Sequence, residues 1–98
     1  MKRVELSEQV RSFIRSRAPQ PRKELRKALR DLARERGEIK QLEGALKDYF
    51  RLRVAGYRIV FAYSANGRAI QCIFAERRNI VYEIFEQVVR AQLLARKK

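Results

Sequence analysis

The chain has 98 residues, with 24 Lys plus Arg against 11 Asp plus Glu and a formal charge of +13. One cysteine and no histidine exclude an internal disulfide, a cysteine metal cluster, His-ligated metals and the Ser–His and Cys–His nucleophile schemes. No signal peptide and no long apolar segment is visible, so the expectation is one small cytoplasmic domain over residues 1–98, with an anionic partner and no membrane span.

In chain order, Arg3-Val4-Glu5-Leu6 predicts a short opening strand. Ser7 caps a first helix running to about Arg17, with Val10, Phe13 and Ile14 on its buried stripe. Pro19-Gln20-Pro21 breaks it, and Pro21 suits the first turn of a second helix. That helix has Leu25, Ala28, Leu29, Leu32 and Ala33 at i, i+3, i+4, i+7 and i+8 spacing, and its outer face is a solvated basic run from Arg22 to Arg34. Gly37 is expected to end it in the left-handed conformation, and residues 38–47 are expected to be a loop or helical turn around Leu42 and Leu46. Three antiparallel strands follow, roughly 48–55, 57–65 and 68–76. Asn66-Gly67 predicts a type I′ turn between the last two. Asn79 then caps a terminal helix with Val81, Ile84, Phe85 and Val88 inward. Cys72 lies in an apolar strand, where a packing role is expected.

The first hairpin carries the most information. With Ala55-Gly56 as a two-residue turn, Val54 faces Tyr57, Leu52 faces Ile59 and Phe50 faces Phe61, all on one core face. The other face carries Arg51, Arg53 and Arg58, with Arg58 directly opposite Arg53. Like charges opposed across strands are destabilising, so stability alone does not account for them. Guanidiniums converging on a rigid sheet suit a phosphate backbone or a carboxylate-rich partner. The Asn66-Gly67 turn sets Tyr63 against Ile70, Phe61 against Cys72 and Ile59 against Phe74, which makes the middle strand central. On that register Ala75 lies opposite Arg58, and Arg77 joins the arginine side if the strand runs on.

Two blocks and this element order resemble the RelE/ParE superfamily of type II toxin–antitoxin toxins. The first is Arg51-Leu52-Arg53-Val54-Ala55-Gly56-Tyr57-Arg58-Ile59-Val60-Phe61, and the second is Arg77-Arg78-Asn79-Ile80-Val81-Tyr82. The resemblance covers nearly the whole chain. It implies an α+β fold with an N-terminal strand, a two-helix hairpin, a three-stranded antiparallel meander and a C-terminal helix. It further implies a toxin held inactive by a cognate acidic antitoxin, with mRNA on the ribosome as its target and no cofactor. Carried over by position, Arg51 matches a catalytic lysine of the RelE branch, Arg58 its phosphate-binding arginine and Tyr82 its site tyrosine. Arg53, Arg77 and Arg78 are further candidate phosphate contacts.

Two departures bear on the chemistry. A family lysine two residues before Arg51 is here Tyr49, and a family arginine six residues before Tyr82 is here Glu76. Arg77 or Arg78 could supply that missing charge from next door. Arginine stays protonated in proteins, so Arg51 can clamp a phosphate but hardly accept a proton. Tyr82 and Tyr49 are the candidates for proton transfer, against plain packing roles for both rings. Two other functions remain open at the level of sequence: a ParE-like inhibitor of DNA gyrase, and a degenerate, non-catalytic binding module.

Overall fold

Ser7 begins the first helix as expected: its hydroxyl accepts from the Val10 N–H at 3.2 Å. The computed structural model describes residues 1–77 and Gln87. Strand β1 (Arg3–Leu6) leads into helix α1 (Glu8–Arg15), which turns at Ser16 into helix α2 (Pro19–Leu32). Strands β2 (Glu38–Gln41), β3 (Phe50–Val54), β4 (Tyr57–Tyr63) and β5 (Ala69–Arg77) follow, with one 3₁₀ turn, Gly44–Leu46, between β2 and β3. The chain is therefore α+β, with two helices against a five-stranded sheet. The terminal helix expected after Asn79, and with it Arg78 and Tyr82, lies outside the described residues.

The sheet runs β1-β5-β4-β3-β2, with β1 parallel to β5 and the other pairs antiparallel. β4 is central, as the hairpin registers predict. Both helices lie on one face. Val10, Phe13 and Ile14 of α1 and Leu25, Leu29 and Leu32 of α2 close over Leu52, Val54, Ile59, Phe61, Ile70, Cys72 and Ala75. Each large side chain fully buried there contributes about 1.5–3 kcal/mol of transfer free energy. Phe50 and Phe61 stack at 5.6 Å, and Phe13 meets Tyr57 edge-on at 5.6 Å. A smaller apolar cluster of Leu46, Val60 and Phe74 sits on the opposite face, with Leu42, Tyr49 and Ile73 against it.

Four local features differ from expectation. Residues 38–41 form an edge strand, β2, paired with β3, where a loop or helical turn was expected. Ile39 is their one apolar side chain, so the period-two signal is too short to see. Helix α2 stops at Leu32, and Glu35 takes a left-handed conformation at φ 55°. Glu35 is held there by its N–H on the Leu32 carbonyl (2.7 Å) and by the Tyr63 hydroxyl donating to its carboxylate (2.9 Å). Gly37 serves another purpose: at φ 130°, a Cβ would meet Leu52 Cδ1 at 2.9 Å, so only glycine lets α2's exit cross β3 closely.

The β4–β5 turn is longer than two residues. Gly67 N–H donates to the Ser64 carbonyl at 2.9 Å, Gly67 takes φ 72°, and the Asn66 side chain accepts from the Arg68 N–H. Tyr63 still faces Ile70 and Phe61 still faces Cys72. The register then shifts by a bulge between Val60 and Phe61, and Ile59 faces Ala75 rather than Phe74. This bulge has a support. Ser7 Oγ donates to the Ile73 carbonyl at 2.7 Å. The Gln9 amide acts as a surrogate strand, donating to Ala75 O at 2.7 Å and accepting from Ala75 N–H at 2.8 Å.

Candidate nucleotide-binding face of the sheet

The helix-free face of β2–β5 carries the candidate residues, and alternation puts Arg51, Arg53 and Arg58 there together, as predicted. One register row crosses four strands: Glu38 of β2, Arg53 of β3, Arg58 of β4 and Glu76 of β5. The two arginines do oppose each other, but a glutamate flanks each of them. Glu38 and Arg53 form an ion pair at 3.4 Å. Both are substantially exposed, so that pair adds under about 1 kcal/mol.

Arg58 is buried on this face. Its residue exposure is 5%, and its Nη1 donates to the Tyr57 carbonyl at 2.8 Å and the Ala55 carbonyl at 3.2 Å. The guanidinium thus braces the β3–β4 turn, where Ala55 takes φ 52°.

The bulge redistributes β5. Glu76 takes the place opposite Arg58 that the unshifted register gives to Ala75, and Ala75 turns into the core. Arg77 pairs with Tyr57, whose side chain joins the helix-side core, so Arg77 stands on the other face from Arg58. Among the two candidates for the missing charge, Arg77 therefore points away from the arginine row. Glu76 is half-buried beside it, its carboxylate accepting from the Arg77 N–H at 2.9 Å.

The next row holds Lys40 of β2, Arg51 of β3, Val60 of β4 and Phe74 of β5. Arg51 is half-buried. It lines a cleft of about 290 Å³ with Lys40, Gln41, Leu42, Glu43 and Leu46. Tyr49 packs on the Leu46–Val60–Phe74 cluster beside it. The cleft is cationic at Arg51 and Lys40, apolar at Leu42 and Leu46, and open to solvent, a form that suits a phosphate with a base or sugar against the apolar wall. A wider depression of about 760 Å³ at the far end of β4 gathers Lys2, Arg34, Arg36 and Arg68 but none of the strand arginines.

Sequence reasoning missed Lys40 and the placement of Glu76 opposite Arg58. Lys40 depends on recognising β2. Glu76 depends on the bulge, which an apolar run with no glycine does not announce. No group of His, Cys, Asp and Glu among the described residues is arranged to hold a metal ion, and no helix among them is long and apolar enough to cross a membrane.

No protein-family model and no curated protein sequence matches the chain. Solved structures do. The chain superposes on the isolated RelE toxin of E. coli at TM-score 0.67 with 20% identity, over 93% of this chain and 99% of that one. The RelBE2 toxin–antitoxin complex of Mycobacterium tuberculosis matches at TM-score 0.68 and 19% identity, over 79% and 98%. The YoeB/ParE toxin of Agrobacterium tumefaciens matches at TM-score 0.64 and 19% identity, over 80% and 99%. The chain has the RelE/ParE toxin fold.

Proposed function

We infer that the chain is the toxin of a type II toxin–antitoxin pair. It would act in the cytoplasm as a ribosome-dependent mRNA endonuclease without a metal or cofactor and be neutralised by an acidic antitoxin. The observation that carries this reading is the cleft at Arg51, built on the sheet face that also bears Arg53 and Arg58, in a fold shared with RelE toxins. The relatives solved as RelBE complexes support an antitoxin partner.

The reaction is attack of the 2′-hydroxyl on its own phosphate with departure of the 5′-oxygen. It requires the phosphate to be oriented and the added negative charge to be stabilised. Arg51, Arg53 and Arg58 offer fixed positive charge for both, with Arg51 nearest an accessible cavity. Tyr82 and Arg78 are assigned to the same site by their motif positions, as proton-transfer and phosphate groups respectively. Arg77 would serve RNA only beyond the arginine row, since it stands on the other face.

A toeprint on programmed ribosomes tests this directly. Cuts positioned within the A-site codon are expected. Intact mRNA together with trapped gyrase–DNA complexes would assign the chain to the ParE branch instead. That reading draws on the departures at Tyr49 and Glu76 and on the buried guanidinium of Arg58. Intact mRNA and free gyrase, with antitoxin binding retained, would leave a binding module.

A further inference from the structure

Arginine, the type that Arg51 brings to the cleft, does not give up a proton in proteins, yet the 5′-oxygen must gain one as it leaves. β2 supplies a group that can. Lys40 stands directly opposite Arg51 in the antiparallel register, and both line the same 290 Å³ cleft. Opposed residues have Cβ atoms about 4.5–5.5 Å apart, so one phosphate group can touch both side chains. Lys40 is exposed, and its ammonium makes no ion pair or hydrogen bond among the described residues. The carboxylate that lines the cleft belongs to Glu43, and Glu38, on the same face of β2, is engaged by Arg53.

We propose that Lys40 is the general acid of RNA cleavage, a role that rests on the endonuclease reading above. Arg51 holds the non-bridging phosphate oxygens. The 2′-oxygen forms its bond to phosphorus as its proton passes to water. The P–O5′ bond breaks, and its electron pair goes to the 5′-oxygen. That oxygen takes a proton from the Lys40 ammonium, and the resulting amine is reprotonated from bulk water. The products are a 2′,3′-cyclic phosphate and a 5′-hydroxyl. The lysine ammonium is a donor with three N–H protons and no acceptor. Arginine in its place keeps the charge and withholds the proton.

The test is single-turnover cleavage on ribosomes by the wild type, Lys40→Arg and Lys40→Ala, with two mRNAs. One is ordinary. The other has sulfur in place of the bridging 5′-oxygen at the scissile bond, and a thiolate departs without protonation. Both variants are expected to cut ordinary mRNA about 10²-fold more slowly and the sulfur mRNA at the wild-type rate. Equal slowing on both substrates would overturn the acid role in favour of charge or positioning, and so would recovery of the ordinary rate by Lys40→Arg. An unchanged rate in both variants would remove Lys40 from the reaction. If the wild type cuts neither mRNA, the endonuclease reading itself fails, and the acid role with it. Circular dichroism melting should give wild-type midpoints for both variants, because the Lys40 side chain is exposed.

Discussion

Arg58 braces the β3–β4 turn, a role that the sequence does not announce. Its position opposite Arg53 was legible from the turn; its burial and its bonds to the Ala55 and Tyr57 carbonyls were not, because they depend on what covers it. Arg58→Ala is therefore expected to lower the free energy of unfolding by about 1–3 kcal/mol in a urea titration, two hydrogen bonds being lost from a buried site. If the guanidinium also contacts phosphate, cleavage falls by about one to two powers of ten beyond that loss. Wild-type stability in Arg58→Ala would show that the turn does not lean on it. Cys72 gives a second residue-level expectation. Burial pushes its thiol from 9.0 up to about 12. The folded chain keeps that proton through the window from 9.0 to about 12, where the unfolded chain loses it. The unfolded state then binds fewer protons, so stability is intact below pH 9 and falls as pH rises, by at most about 1.4 kcal/mol per pH unit. Tyr63 is shifted in the same direction, by burial first and then by its bond to the Glu35 carboxylate. Cys72→Ala should start from a lower stability and show a flatter alkaline slope; an unchanged slope would deny Cys72 the role.

At the scale of elements, legibility followed the strength of local pattern. The β3–β4 register was readable because its six core residues alternate cleanly around a two-residue turn. The β4–β5 register was readable only as far as Cys72. From Ile70 to Ala75 both faces are mostly apolar, so nothing in the pattern marks where the strand turns over. The bulge is imposed by tertiary bonds from Ser7 and Gln9, which no local signal announces. It decides whether Glu76 or Ala75 faces Arg58, and so what the site contains. Ala55 illustrates a cost of the readable hairpin. A left-handed alanine is strained by about 1–2 kcal/mol, of which glycine returns some to chain entropy. Ala55→Gly should raise the urea midpoint by the equivalent of about 0.5–1 kcal/mol. A lower midpoint would mean that the alanine methyl contributes packing that outweighs the strain.

For the whole molecule, charge governs encounter more than fold. At +13, association with an acidic antitoxin is expected to be steered electrostatically. Its rate constant should drop by about tenfold or more as salt rises from about 0.05 M to 0.5 M, measured by stopped-flow mixing. A rate indifferent to salt would remove the acidic-partner expectation. The cationic depression around Lys2, Arg34, Arg36 and Arg68 and the basic outer face of α2 extend the same field over the helix side. Long-range attraction thus surrounds the molecule, while the arginine row and the cleft occupy the helix-free face alone.

The surrogate strand offered by Gln9 also sets a timetable for biosynthesis. Its partner, Ala75, lies 66 positions further along the chain. At elongation rates of about 5–20 residues per second, that gap lasts roughly 3–13 s. Through that interval β1 lacks its strand partner, β5, the Val10–Phe13–Ile14 stripe lacks Ile70, Cys72 and Ala75, and no bulge orients Glu76. The nascent chain passes those seconds with its apolar N-terminal segment incompletely covered and its charged row incomplete. A freshly translated molecule can be met by a binding partner or a chaperone well before it can act on anything.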